Sequence, residues 1–301
     1  EELIRKYLLE NPHGCIMTLI PKKGLAAQRE KELEEKLEAY RSSLSEEQLD
    51  AMVEKTKALE AYQEAGEDPK ALECIPMLKR SDIKKEAAKI VNEELTVDNS
   101  LFLYHDVCTN GIGYVDLMFK TDSIAPEQIP YLGLLKSVLG YVDTEHYTYG
   151  ELFNEINANT GGINCGVEVF DRADSTEEFQ AMFSVRGKAL YTKMDFLFKM
   201  IGEILNSSKL EDTKRLYEIV ASVKSRAQVN LTGAGHSTAV LRAAAYSSPM
   251  AAFQDEMAGI GYYQFIEKLE KDFEQRKEET VEELCKLMKK ILRPENFMIS
   301  Y

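Results

Sequence analysis

An α+β fold, with an antiparallel sheet and helices packed on one side of it, is predicted by three features of the sequence. Between residues 91 and 186, apolar and polar residues alternate over short stretches, the period of a half-buried strand. Between and after those stretches, apolar residues recur at helical spacing. The resulting order is strand, strand, helix, helix, strand, strand, then a run of helices and a final strand. That order differs from the strict strand–helix alternation of a parallel sheet and segregates the helices.

Residues 1–10 read as the end of a helix, broken at Asn11-Pro12 because proline disfavours helix in the residue before it. Cys15–Ile20 reads as a short apolar strand closed by Pro21 and Gly24. One helix and one strand cannot make a domain, so residues 1–24 are expected to be the end of a preceding one, and the chain reads as continuing from a longer polypeptide. Leu33, Leu37, Tyr40 and Leu44 then repeat at helical spacing over 25–44. Ser45-Glu46-Glu47-Gln48 is a capping box that opens a second helix with the stripe Leu49, Met52, Val53 and Thr56. The turn Gly66-Glu67-Asp68-Pro69 stops it. Both stripes are narrow and flanked by charge, so residues 25–70 are expected to form a helical hairpin linker. A coiled-coil arm needs a longer heptad run.

Residues 71–301 are expected to form one α+β domain. Val91–His105 and Gly113–Lys120 read as strands joined through Asn110-Gly111, a strong hairpin signal. In the second of these, Val115, Leu117 and Phe119 alternate with Tyr114, Asp116, Met118 and Lys120. Ala125-Pro126-Glu127 opens a helix running to about Leu139, with proline in its first turn. Thr148 caps a helix to Asn159, with Glu151 at the matching box position. Gly161–Phe170 and Glu178–Arg186 read as strands; Ala189–Asn206 and Leu210–Leu231 as long helices. Breaks at Gly233-Ala-Gly235, Ser247-Ser248-Pro249 and Gly259-Ile-Gly261 separate shorter helices. Thr280–Leu292 is an amphipathic helix, and Phe297–Tyr301 a last strand.

Composition narrows the functional classes. A net charge of −14 opposes phosphate binding, which argues against nucleic acid. It would favour basic partners if the acids lined a concave surface, although a solvated acidic surface is the plainer reading. No stretch approaches the roughly 18 uninterrupted apolar residues of a membrane span. Cys15, Cys74, Cys108, Cys165 and Cys285 are odd in number and widely spaced, which suits buried free thiols in a reducing compartment.

Several strings resemble the insulinase/pitrilysin metallopeptidases, on their presequence-protease branch. They are Asn11-Pro12-His13, Thr109-Asn110-Gly111-Ile112-Gly113-Tyr114, Thr160-Gly161-Gly162-Ile163, Gly235-His236-Ser237-Thr238-Ala239 with Arg242-Ala243, and Gly259–Phe265. Their order and spacing carry the likeness across essentially the whole chain. The resemblance implies a domain like that of mitochondrial processing peptidase. It also implies a four-domain enzyme whose two half-shells enclose a peptide chamber, with zinc on an inverted His-x-x-Glu-His motif in the N-terminal half. That motif is absent here. Along the corresponding helix, Ile129–Gly140, the matching positions hold Tyr131, Leu134 and Leu135, none of which can serve as the His or carboxylate ligand. Glu145-His146 lacks the other histidine, with Val142 in its place. The resemblance therefore implies a degenerate third domain with no catalytic, cofactor-binding or metal-binding residue of its own.

Few other groups offer chemistry. His236 follows two glycines at a helix start and could meet a carboxylate or simply be satisfied by backbone. Asp143, Glu145 and His146 are too close in sequence to converge readily on one ion. Cys108 lies near His105 and Asp106, but a hairpin shoulder seldom orients a Cys–His pair. Tyr131, Tyr141, Tyr147, Tyr149, Tyr246, Tyr262 and Tyr263 gather near helix ends, where core or interface roles are commoner than a chamber wall.

The functional expectation is a non-catalytic, chamber-forming segment of a cytoplasmic zinc metallopeptidase that degrades unstructured peptides. Its expected partners are the N-terminal catalytic half and the C-terminal domain of the same polypeptide, and peptide substrates. A catalytically dead scaffold and a free-standing peptide-binding module of the same fold are the alternatives.

Overall fold

The computed structural model describes residues 1–86, 89–98, 100–172 and 174–301. The chain divides into two units, Glu1–Ala87 and Ala88–Tyr301.

In the first unit, α1 (Glu2–Ile4) runs on into a π-helical turn, Arg5–Leu9. The long helices α2 (Leu25–Ser43) and α3 (Glu46–Glu64) follow, then the single turn α4 (Pro69–Leu72). The capping box forms as expected: Gln48 N–H donates to Ser45 Oγ (3.3 Å) and Ser45 N–H to Gln48 Oε1 (3.0 Å). Asp68 caps α4 through the Lys70 N–H. The strand expected at Cys15–Ile20 does not form. Its segment is exposed, with no strand among the described residues to pair its backbone. Leu25, Leu44 and Leu49 are half-buried, and every other described residue of this unit is exposed.

The second unit is built on a six-stranded sheet. Its strands are β1 (Glu93–Val97), β2 (Ser100–Tyr104), β3 (Ile112–Lys120), β4 (Ile163–Arg172), β5 (Ser175–Leu190) and β6 (Phe297–Ser300), in the order β1-β2-β6-β3-β5-β4. Two expectations need correction. The stretch read as one strand, 91–105, is a hairpin of β1 and β2. The Asn110-Gly111 turn does form, with φ of 51° and 84° and Ile112 N–H donating to the Thr109 carbonyl. It does not join paired strands, because β6 lies between β2 and β3, parallel to the former and antiparallel to the latter. Phe297 of β6 stacks on Phe119 of β3, with ring centroids 4.9 Å apart. All other pairings are antiparallel.

The helices are α5 (Ile129–Val138, after a 3₁₀ turn Pro126–Gln128), α6 (Tyr149–Asn159), α7 (Met194–Ser207), α8 (Thr213–Gly233), α9 (Gly235–Ala244), α10 (Pro249–Ala258), α11 (Ile260–Lys271) and α12 (Phe273–Ile291). Ala189 and Leu190 belong to β5, so α7 starts five residues later than the periodicity predicts. α12 starts earlier than expected, at Phe273. Val115, Leu117 and Phe119 of β3 and Ala181, Phe183 and Val185 of β5 share one sheet face. They form a single core with Leu132, Leu135 and Val138 of α5, Leu152 of α6, Leu197 and Ile201 of α7, Leu216 and Val220 of α8, Ile266 of α11 and Leu284 of α12. The expected alternation along β3 thus separates a helix-covered face from a second face carrying Tyr114, Asp116, Met118 and Lys120, which is open at Tyr114 and Lys120 while Met118 is buried.

Candidate functional site

The open face of the sheet carries a cavity of about 760 Å³ where β3 begins and β5 ends. Strand register determines its floor. Asp116 on β3 stands opposite both Arg186 on β5 and Ser300 on β6. Arg186 Nε donates to Asp116 Oδ2 (2.6 Å), and its Nη1 lies 3.1 Å from Glu168 Oε1 on β4. The Asp116 hydrogen bond pushes the Arg186 pKa above its ordinary value. Asp116 Oδ1 is buried without a partner among the described residues. Tyr104, Tyr114, Tyr191 and Tyr301 wall the cavity. Tyr104 stacks on Tyr301, and the Tyr191 hydroxyl meets the Thr109 hydroxyl at 2.8 Å. The arrangement gives fixed charges on the floor and amphipathic rings at the rim. It can grip a polar chain with apolar side groups.

His105 serves this site structurally. Its Nδ1 lies 2.8 Å from the Val91 carbonyl and its Nε2 3.0 Å from Ser300 Oγ, which tie the segment before β1 and the end of β2 to β6. Both nitrogens are engaged, so no base faces Cys108, whose sulfur lies 3.7 Å from Asn110 Oδ1. Asp143, Glu145 and His146 are not brought together either. Asp143 accepts the Tyr149 N–H at the start of α6, while His146 Nδ1 meets Glu203 Oε2 at 3.0 Å. His13 and His236 are exposed. The thiols differ from expectation. All five are free, but Cys15, Cys74 and Cys108 are exposed, the first two in a unit that has no core. Burial pushes the Cys165 thiol up to about 12, which leaves it unreactive.

Tyr131, Leu134 and Leu135 on α5 lie within the core. The Tyr131 hydroxyl accepts from Arg276 Nη2 (2.9 Å) on α12 and faces Glu279. Among the described residues, no three His, Cys, Asp or Glu side chains are placed to hold a metal ion, and no helix is long and apolar enough to cross a membrane.

The strings on α9 and α11 converge on Asp255 of α10. Its carboxylate is buried, accepts from Arg242 Nη1 (2.6 Å), and receives the N–H groups of Ile260 (3.0 Å) and Gly261 (3.2 Å). A Cβ at Gly261 would stand 3.0 Å from Asp255 Oδ2 and 2.5 Å from Glu256 Oε1, so glycine permits the approach. These residues join three helices and are architectural.

The tyrosines singled out by sequence are not the ones at the cavity. Tyr131 and Tyr262 are buried, and Tyr141, Tyr149 and Tyr246 are exposed elsewhere. Strand alternation placed Tyr114 on the open face and could have found it. Tyr104 and Tyr301 meet only because β6 inserts beside β2, a non-local pairing.

Residues 19–269 match the family model described as Peptidase M-16C associated. Protein HypA of Clostridium perfringens is 35% identical over 301 residues, which is 100% of this chain and 31% of that protein. Presequence protease 1, chloroplastic/mitochondrial, of Arabidopsis thaliana is 29% identical over 269 residues, covering 89% of this chain and 25% of that protein. The mitochondrial presequence protease of Yarrowia lipolytica is 27% identical over 276 residues, 92% of this chain and 27% of that protein. The chain thus spans about a quarter to a third of the length of these relatives.

Proposed function

The chain belongs to this peptidase-associated family, on its presequence-protease-like branch, and from that premise we propose that it is a non-catalytic, chamber-forming segment of a zinc metallopeptidase that degrades unstructured peptides. In this reading residues 1–24 end a preceding domain, 25–70 link two halves, and 71–301 form a degenerate copy of the catalytic fold. The zinc site lies in the N-terminal half of the parent. The partners are that half, the C-terminal domain and the peptide, in the cytoplasm.

The observation that supports this most is the fate of α5. It packs over the sheet as a metal-bearing helix of the fold would, yet its three matching side chains, Tyr131, Leu134 and Leu135, are spent on the core. The two leucines have no lone pair to offer zinc, and the Tyr131 hydroxyl is engaged by Arg276 and Glu279. What this segment offers a peptide is the open-face cavity, whose tyrosine rim and Arg186–Asp116 floor suit a chain that is polar along its backbone and apolar at its side groups.

The parent protein provides the test. Tyr114→Ala removes an exposed ring at the rim, well away from the core. It should raise KM for an unstructured peptide by about threefold to tenfold with little change in kcat, the pattern of a lost binding contact. Unchanged KM, or a loss confined to kcat, would refute a substrate-facing role for this surface.

A further inference from the structure

Two grooves in the second unit meet at Ser137 and Arg226. One, of about 470 Å³, follows the outer edge of β4 and is walled by Lys136, Tyr141, Phe153 and Asn157. The other, of about 270 Å³, is lined by Asn230 of α8, Thr238 of α9 and Tyr262 of α11.

The junction is rich in donors and short of acceptors. Lys136 is half-buried, and burial pushes its pKa down while Glu168 opposes the shift. Glu168 is already held by Arg186 at 3.1 Å. Among the described residues neither Lys136 nor Arg226 has a carboxylate within ion-pair distance. In a chain with 51 acidic and 37 basic residues, two cations thus face one groove with no ion pair of their own, Glu168 being the nearby acid and already paired with Arg186. The Tyr262 hydroxyl is buried in the smaller groove with Ser137 and Arg226 as polar neighbours, and no hydrogen bond satisfies it among the described residues. The hydroxyls of Ser137 and Thr238 donate to carbonyls of their own helices, Gly133 and Ala234. Among the described residues, Glu168 is the one acid on the lining of either groove.

We propose that the Lys136–Arg226 junction binds a carboxylate, either the C-terminus of a short peptide or a free organic acid. A carboxylate accepts from an ammonium and from the guanidinium fork together, and such charge-assisted bonds are the strong ones. The groove beside β4 has room for several residues of a chain ending there. The inference stands on these groups alone and does not depend on the peptidase reading.

The test titrates the 301-residue chain with trialanine, trialanine amide, sodium acetate and inorganic phosphate, followed by amide NMR shifts and calorimetry. Trialanine should saturate, shifting Ser137 and the β4 amides, and its amide should bind about tenfold more weakly or worse. Saturation by trialanine but not acetate identifies a peptide terminus; saturation by both identifies free organic acids as well. Arg226→Gln and Lys136→Met should each weaken binding about tenfold, with no fall in the thermal midpoint, which separates loss of the site from loss of the fold. Absence of saturation would overturn the proposal. So would equal binding of the amide, a preference for phosphate over every carboxylate, or unchanged affinity in Arg226→Gln.

Discussion

Two helices of equal length, α2 and α12, show what a helical pattern does and does not decide. Each has 19 residues and is rich in Glu and Lys. α12 buries Phe273, Thr280, Leu284, Leu287 and Ile291, and its Lys and Glu residues pair along the outer face. α2 buries nothing, and Leu33, Leu37 and Tyr40 are each more than half exposed. A stripe at helical spacing specifies which face wants a partner, and only tertiary structure supplies one. In the second unit the sheet and the neighbouring helices do so; within the first unit nothing does.

The largest expected effect sharpens that contrast. Leu284→Ala should destabilise the second unit by about 2–5 kcal/mol in urea unfolding, since it empties a fully buried position. Leu37→Ala on α2 should change the same transition by less than about 0.5 kcal/mol. Equal losses would break the comparison. Next comes the joint between helices. Asp255→Ala strands the N–H groups of Ile260 and Gly261 and should cost about 1–3 kcal/mol. An unchanged unfolding midpoint would mean that this joint is not needed.

Smaller effects probe the first unit and the surface of the second. Ser45→Ala removes the α3 cap and should lower local helix stability by about 1 kcal/mol, seen as faster amide exchange near Gln48. The second unit's transition should stay where it was; a shift there would show that the units are coupled. The smallest effect concerns Glu203. Burial opposes its charge, but hydrogen bonds from Thr144 and His146 prevail and hold its pKa below the ordinary carboxylate value. A depressed folded pKa stabilises the protein above the unfolded pKa, and that contribution fades as pH falls through the folded value. Glu203→Gln should therefore flatten the acid limb of the stability profile without altering its alkaline side. An unchanged acid limb would contradict the assignment.

How much of this was legible in the sequence follows the range of the interactions. Local chemistry was readable: the Ser45 and Thr148 boxes, the proline before α5 and the alternation along β3 depend on neighbours within a few residues. The Asn110-Gly111 turn was also read correctly as backbone, yet its flanking strands are parted by β6, which arrives from the far end of the chain. No local signal announces such an insertion. For the same reason Cys15–Ile20 looks like a strand but has no ladder to join. The candidate site divides in the same way. Tyr114 follows from alternation, whereas Arg186 facing Asp116 and Glu168, and Tyr104 on Tyr301, need the register of five strands. Of the strings that carried the family resemblance, those around Thr109–Tyr114 and Gly161-Gly162 line the cavity, whereas those on α9 and α11 mark architecture, the Arg242–Asp255 joint.

The central proposal is that residues 71–301 are a degenerate copy of the catalytic fold with no metal centre of their own. The most direct measurement is a zinc titration of the purified 301-residue chain, followed by assay of an unstructured peptide. The expected result is no stoichiometric zinc and no chelator-sensitive hydrolysis. One tightly held zinc per chain, with peptide cleavage abolished by chelator, would contradict it.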